Sequence, residues 1–367
     1  MAVGFPLKTT YANGDVYSAS DVNDTNGTIN LLTSTTLSNQ AGKNAIINGG
    51  FDVWQRGTSI AATATNGVYT ADRWLVNRNG AVTGATITRQ TTSDTTNLPS
   101  IQYCARVSRD SGNTSTQIIR FGSPIETINS IPYAGKTVNI SFYARKGANY
   151  SAASSALAFQ IMSGTGTDQN NFTVSYTGET TVLSSSVTLT TTWQRFTASA
   201  TVGATATELL ARFEFTPVGT AGAADYYEIT GVQLELGATA TTFSRAGGTI
   251  QGELAACQRY YWQTGLRASR SFGVAQFVGA ADGLAFVALP VTMRVNPSNS
   301  VSAATDFEVI NAGGSSAIAL TAISFGEQSV DGFTANLTTA SGMTAGQASL
   351  WRSKSAGNAT LKASAEL

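Results

Sequence analysis

Ile140-Ser141-Phe142-Tyr143-Ala144-Arg145 alternates apolar and polar residues one by one, and Ala211-Arg212-Phe213-Glu214-Phe215 does the same. A period of two belongs to a strand with one face buried and the other wet. It turns Phe142, Ala144, Ala211 and Phe213 towards a core, and Tyr143, Arg145, Arg212 and Glu214 away from it. Outward from these stretches, runs rich in Thr, Val, Ile, Tyr and Phe recur between breaks of Gly, Asn, Ser and Pro. They predict strands at 81–90, 101–108, 116–121, 136–145, 156–162, 172–176, 181–189, 193–201, 208–216 and 226–236. That spacing suits two packed antiparallel sheets, with the chain near Ile46 beside the chain near Val232.

The flanks read differently. Within residues 1–43, Ser20 is placed to cap a helix, and Val22, Thr25, Ile29, Leu32 and Thr36 fall at spacings of three and four, a short seam for self-association. Residues 44–246 form the first β domain, closed by Ala246-Gly247-Gly248. Within the linking segment 247–262, Thr249 caps a helix from Ile250 to about Gln258, and Tyr260-Tyr261-Trp262 opens a strand. Residues 263–367 are β-rich again, with strands expected at 267–279, 283–289, 300–310, 317–325, 328–337, 347–352 and 359–366. They predict a second, smaller β-sandwich.

Composition narrows the function. Charged residues make up 12 % of the chain, about half the usual share, and 22 basic residues balance 22 acidic ones. A neutral chain does not track phosphates, so nucleic acid is not an expected partner. Few surface charges suit a protein that lives inside an assembly. With no histidine, neither a Ser-His-Asp unit nor a His-ligated zinc is available. Cys104 and Cys257 are expected to be buried thiols. The first residues do not read as a signal peptide, and the apolar run Leu284 to Val291 is too short to span a bilayer. The expectations are a cytoplasmic product, no membrane insertion and no cofactor.

Four segments, in this order, resemble a family of bacteriophage fibre proteins that carry a jelly-roll domain similar to carbohydrate-binding modules. They are Asn44-Ala45-Ile46-Ile47-Asn48-Gly49-Gly50-Phe51-Asp52-Val53-Trp54-Gln55-Arg56-Gly57, Tyr69-Thr70-Ala71-Asp72-Arg73-Trp74, Tyr226-Tyr227-Glu228-Ile229-Thr230-Gly231-Val232-Gln233-Leu234-Glu235-Leu236-Gly237 and Cys257-Gln258-Arg259-Tyr260-Tyr261-Trp262. The likeness covers most of 44–262, and Leu289-Pro290-Val291-Thr292-Met293-Arg294-Val295-Asn296-Pro297 and Ala363-Ser364-Ala365-Glu366-Leu367 resemble phage fibre C-termini. The resemblance implies an all-β chain: a short N-terminal helix or extended anchor, a jelly-roll β-sandwich, a linking helix and the smaller sandwich. It implies a virion structural protein, read as a tail fibre or spike assembled in the host cytoplasm; the lack of a catalytic signature makes the expected role non-enzymatic. It also implies a homotrimer, attached at its N-terminal end to other virion proteins and recognising host cell-surface polysaccharide. Two other readings stay open: a head-associated decoration protein without a receptor, and a glycan depolymerase.

A depolymerase needs paired carboxylates, and Asp72, Asp110, Glu126, Glu214 and Glu228 are candidates without a recognisable signature. In modules like those resembled, an acid after an Asn-x-Gly-Phe-like start contributes to a calcium site. Asp52 holds that position, and Thr230-Gly231 stand where its acidic partner is expected. Trp54, Trp74 and Trp193 read as core. Tyr103, Arg106, Tyr143, Arg145, Arg212 and Glu214 are the candidate carbohydrate-binding residues, because aromatic faces stack on sugar rings while Arg and Glu fix hydroxyls. They make one surface if their strands are neighbours. A competing location is the far end of 263–367, at the turns Asn311–Ser316 and Ser341–Gly346 with Trp351 nearby.

Overall fold

The computed structural model describes residues 41–62, 67–78, 84–311, 316–355, 357 and 359–367. The expected N-terminal helix and its seam, Val22 to Thr36, lie outside the described residues, as does most of the Asn311–Ser316 turn.

Two antiparallel sheets form a jelly-roll sandwich. The first orders β1 (Ser59–Ala61), β4 (Ala85–Thr91), β5 (Tyr103–Arg109), β12 (Tyr226–Leu236), β7 (Thr137–Lys146) and β10 (Gln194–Thr201). The second orders β2 (Val68–Tyr69), β3 (Leu75–Arg78), β6 (Ile119–Ile125), β11 (Glu208–Phe215), β8 (Ala156–Gly164) and β9 (Thr180–Thr188). Phe142 of the first sheet meets Phe213 of the second edge to face at 4.9 Å, and Trp74 stacks on Phe121 at 4.9 Å. Trp54, Trp74 and Trp193 are all buried, as their motifs suggested, and so are the free thiols Cys104 and Cys257.

The strand expected at 172–176 is instead a loop. Asn170 turns the chain there, its side chain accepting from Phe172 N (3.0 Å) and its carbonyl from Thr173 N (2.9 Å) and Val174 N (3.0 Å). Phe172 and Tyr176 then pack onto the outside of the second sheet against Leu75, Met162 and Leu210. The alternation was real, but it serves a covering loop.

Beyond α1 (Thr127–Ser130) in the sandwich, the linking helix α2 (Ile250–Gln258) starts where the cap predicted, with Thr249 Oγ1 accepting from Gly252 N at 3.1 Å. In the C-terminal part the second sandwich takes a different form. β14 (Ser271–Phe277), β15 (Asp282–Ala288), β19 (Gly332–Thr339), β18 (Ala317–Ser329), β17 (Phe307–Ile310) and β20 (Ala348–Ser353) close into a barrel. Register irregularities in β14 and β18 accompany the curvature, and closure leaves no sheet edge. The run 300–310 splits between this barrel and a three-stranded sheet of β13 (Tyr261–Gln263), β21 (Leu361–Ser364) and β16 (Ser298–Val301). Trp351 is in the barrel core against Phe272 and Phe307, so it is not a surface aromatic.

The stretch from Asn44 ties the start of the sandwich to β12 and to α2. Ala45 N donates to Leu234 O and Val232 N to Gly49 O, each at 2.9 Å, which sets the start of the domain beside β12. A side chain on Gly49 would collide with Val232 O at 2.0 Å, so only glycine allows this approach. Asn48, in the left-handed region at φ 60°, donates to Val53 O (2.8 Å) and Asp72 O (3.0 Å) and accepts from Trp74 Nε1 (3.2 Å). Its own N–H donates to the Glu253 carboxylate of α2.

Barrel and sandwich meet at a charged joint. Arg56 pairs with Asp72 (3.2 Å) and Glu366 (2.9 Å), and Arg73 with the other Glu366 oxygen. The guanidinium of Arg56 lies 3.4 Å from the Tyr261 ring centroid and that of Arg73 lies 3.7 Å from Tyr260. Arg294 donates to the carbonyls of Ala365 and Glu366, each at 2.9 Å, and to Asp168 at 2.8 Å. Burial pushes the Asp72 carboxyl up from 3.8 to about 6, against the opposing pull of Arg56 and the Gln55 N–H. The folded state therefore holds a proton between these values that the unfolded chain has released, so this contribution to stability falls as pH rises through the window and levels off above it. Asp72→Asn is expected to remove that slope, measured as urea midpoints at about pH 4, 5, 6 and 7; an unchanged slope would show that another group sets it.

Candidate functional site

Candidate residues from the first sheet converge on one row. The pairing registers set Arg106 of β5 and Arg145 of β7 on either side of Glu228 in β12. Glu228 is fully buried, and its two oxygens are divided between the arginines. Arg106 donates from Nε (2.9 Å) and Nη2 (2.6 Å) to Oε1, and Arg145 donates from Nε (2.5 Å) to Oε2. One carboxylate thus orients two half-buried guanidinium groups and leaves a surplus of one positive charge. Charge-assisted pairs of this kind fix geometry as well as charge.

Aromatic rings frame the row. The Arg106 guanidinium lies 4.0 Å from the Tyr226 ring centroid and that of Arg145 lies 4.7 Å from Trp193. Next along β7, Tyr143 faces Thr230 on one side and Arg195 on the other. The register of β12 shifts between Thr230 and Gln233, and Gly231 occupies that bulge at φ 59°. A Cβ there would come within 2.9 Å of the Tyr143 ring, so glycine lets the ring lie across the bulge. The face therefore offers guanidinium edges backed by rings, and its aromatic planes are partly spoken for by arginines.

A loop walls this shelf at one end. Leu98 and Ile101 pack with Cys104 and Trp193, with Tyr143 and Phe243 against them, and Trp193 Nε1 donates to Thr92 O at 3.1 Å. The same loop lines a cleft of ≈ 520 Å³ with Asp94, Ser100, Gln102 and Arg245. A second cleft of ≈ 700 Å³, lined by Phe243 and Thr249 among others, shares Ser100 and Arg245 with it. Hydrogen bonds from the Asn97 side chain and backbone hold the exposed Asp94 carboxyl below its usual value, with Arg145 adding a smaller pull. Clefts of a few hundred Å³ are of ligand size.

The other candidates lie elsewhere. Arg212 and Glu214 are on β11, in the second sheet, so the strands are not neighbours and the one surface that depended on this does not form. There Arg212 donates to Gln160 Oε1 (3.0 Å from Nε) and Asn171 Oδ1 (3.3 Å), and Glu214 accepts from Arg120 (2.9 Å). Tyr103 shares a strand with Arg106 but differs by an odd number of positions, which turns it to the opposite face, under Arg89 at 4.6 Å. Asp52 accepts from Arg245 Nε at 2.7 Å, and among the described residues no group of three acidic or thiol side chains converges on a metal position. Glu228, singled out from sequence only as one acid among several, organises the shelf. The sequence shows only an acid inside a strand, Tyr-Tyr-Glu; that both neighbouring strands carry an arginine opposite it comes from the pairing.

Each carboxylate considered for catalysis has a partner. Asp72 is held by Arg56 and the Gln55 N–H, Asp110 by Thr86 Oγ1 (2.8 Å), and Glu126 by Arg259 (2.8 Å) and Tyr260 OH (2.7 Å). Glu214 and Glu228 are paired as described.

No family model and no curated protein matches this chain. Among solved structures it is similar to a family 4 carbohydrate-binding module, at 22 % identity over 52 % of this chain and 98 % of that one, with a TM-score of 0.32. It is also similar to the enzymatically active domain of tailspike protein 4 from bacteriophage CBA120 (13 %, 53 % and 21 %, TM-score 0.33). A third is the family 22 xylan-binding domain from Paenibacillus barcinonensis (16 %, 55 % and 99 %, TM-score 0.29). Likeness at this level decides nothing about function, and the sandwich rests on its own strand order.

Glu228→Gln is expected to cost about 2–4 kcal/mol, because it strips the buried counter-charge from two guanidinium groups at once. Arg145→Ala is expected to cost less, since Arg106 still neutralises Glu228. Urea midpoints with unchanged m-values check the order; a larger loss from Arg145→Ala would mean that Glu228 does not organise the pair.

Proposed function

We propose that this chain is a non-enzymatic fibre or spike protein of a phage particle, and that the Arg106–Glu228–Arg145 shelf with its adjoining cleft binds host cell-surface polysaccharide. What carries the reading is that row: two guanidinium groups held by one buried carboxylate, each with further N–H donors for sugar hydroxyls or carboxylates. The ring of Tyr226 and the loop 92–101 limit where a ring-shaped ligand fits. The resemblance of the Asn44–Gly57 and Tyr226–Gly237 segments to phage fibre proteins supports the same reading. So does the engagement of every candidate catalytic carboxylate in an ion pair or hydrogen bond. In this proposal residues 1–43 attach the chain to other virion proteins, and three copies assemble. Three linked weak sites hold a particle far better than one.

The test is binding of the full chain to host polysaccharide. The double variant Arg106→Ala, Arg145→Ala is expected to lose at least about tenfold in affinity, with its melting transition retained. Arg212→Ala, on the other sheet, is expected to bind normally. Undiminished binding by the folded double variant would remove the shelf from consideration, and release of reducing ends from the polysaccharide would restore the enzyme reading.

A further inference from the structure

The barrel wall carries apolar side chains where a solvated barrel carries polar ones. Outward positions on β14, β15 and β20 alternate with buried ones, and they hold Val274, Leu284, Phe286 and Leu350, with Val278 just past the end of β14. Val274 is 62 % and Phe286 66 % exposed. The pairing registers place them together. Val274 faces Leu350 across one ladder. Gln276 faces Leu284 across the other, which brings Phe286 opposite Val274 two residues on. Leu350, Val274 and Phe286 thus form one row, with Leu284 diagonal to it. Scattered exposed apolar residues need no explanation, but a contiguous row does.

Charge is scarce on this wall. The outward positions of the three strands carry Asp282, at one end of β15, and Arg352, which is paired with Glu308 at 2.8 Å. The next outward neighbours, Thr334 and Asn336 of β19, are neutral. Such a surface has nothing to offer a strongly charged partner or an anionic membrane. It does match itself: a contact between identical neutral walls requires no complementary charge. Size agrees. The five apolar side chains expose on the order of 500 Å². With the polar rim of Gln276, Thr334 and Asn336, the wall approaches the roughly 800 Å² that each partner of a stable interface buries. The strands are central in a closed barrel, so contact is face to face and not by edge pairing.

We propose that the β20–β14–β15 wall of the barrel is the surface through which copies of this chain pack against one another. This rests on the self-association in the function proposed above and gives it a location; it does not depend on the glycan shelf. The test uses the full chain. Phe286→Lys and Val274→Lys, both at exposed positions, are expected to shift the sedimenting species towards monomer, with at least about a tenfold rise in dissociation constant and unchanged melting. Single cysteines in place of Val274, Phe286 or Leu350 are expected to cross-link between copies under mild oxidation, because Cys104 and Cys257 are fully buried and do not compete. Ser184→Cys, on the second sheet of the sandwich, is the control and is expected not to cross-link. A monomeric parent chain at high concentration overturns self-association and this surface together. An assembled parent whose lysine variants stay assembled and whose wall cysteines do not cross-link overturns the surface alone. Loss of polysaccharide binding by the Arg106, Arg145 double variant bears on neither.

Discussion

Two arginines share one carboxylate at the joint between sandwich and barrel, and the geometry of the chain follows from that contact. Glu366 receives Arg56 on one oxygen and Arg73 on the other. Arg73 reaches it from a left-handed backbone at φ 69°, a conformation that costs a non-glycine residue roughly 1–2 kcal/mol. Such strain persists only where the surroundings over-determine it. Here they do: the Arg73 guanidinium also donates to Pro124 O at 2.9 Å and lies against the Tyr260 ring. Desolvating these charges cancels much of their attraction, so the joint contributes definition of position more than stability. An apolar contact would let two rounded β bodies slide. Fixed guanidinium forks do not.

This contact explains why segments far apart in the sequence read as signatures. Gln55 and Arg56 belong to the opening segment, Asp72 and Arg73 to the second, Arg259 to Tyr261 to the fourth, Arg294 to the fifth and Glu366 to the last. All of them meet at the joint. Gln55 Nε2 donates to Tyr261 O at 2.6 Å, and Ala365 N to Tyr260 O at 2.8 Å. Tyr226 to Gly237 acts elsewhere: it forms the seam with Asn44 of the opening segment and supplies the buried Glu228 of the shelf. The motifs thus encode how two β bodies are mounted on each other, which is a matter of architecture before it is one of recognition.

What the sequence made legible was local. Alternation gave the faces of Tyr143, Arg145, Arg212 and Glu214 correctly, and Thr249 marked the start of α2. Alternation does not say which strands are neighbours. That is why Arg212 was grouped with Arg145, although β11 and β7 belong to different sheets. Nor does it separate a strand from a loop that covers one, as Phe172 and Tyr176 show. Tyr103 was grouped with Arg106 by chemistry, where parity alone placed it on the other face. Barrel closure depends on register between strands tens of residues apart and on irregularities such as the one near Leu320, neither of which leaves a periodic trace. Trp351 lies nearest the C-terminal turns in sequence, but alternation along β20 turns it into the core. Its outward neighbour Leu350 is the exposed one.

Low charge content takes on a structural meaning in this light. Arginines and acids are drawn into fixed pairs at the joint, on the shelf and across the second sheet. Pairs fixed in this way add little net field, which leaves the barrel wall without the repulsion that keeps soluble monomers apart. A sheet face left neutral and apolar is ordinarily a hazard, and in open sheets it is worsened by unpaired edges. Closing the barrel removes the edges while keeping the face. Uncontrolled strand addition at the barrel is thereby suppressed, and what the wall still offers a neighbour is side-chain packing. The same economy of charge thus makes the shelf stand out against its surroundings and leaves the barrel wall neutral.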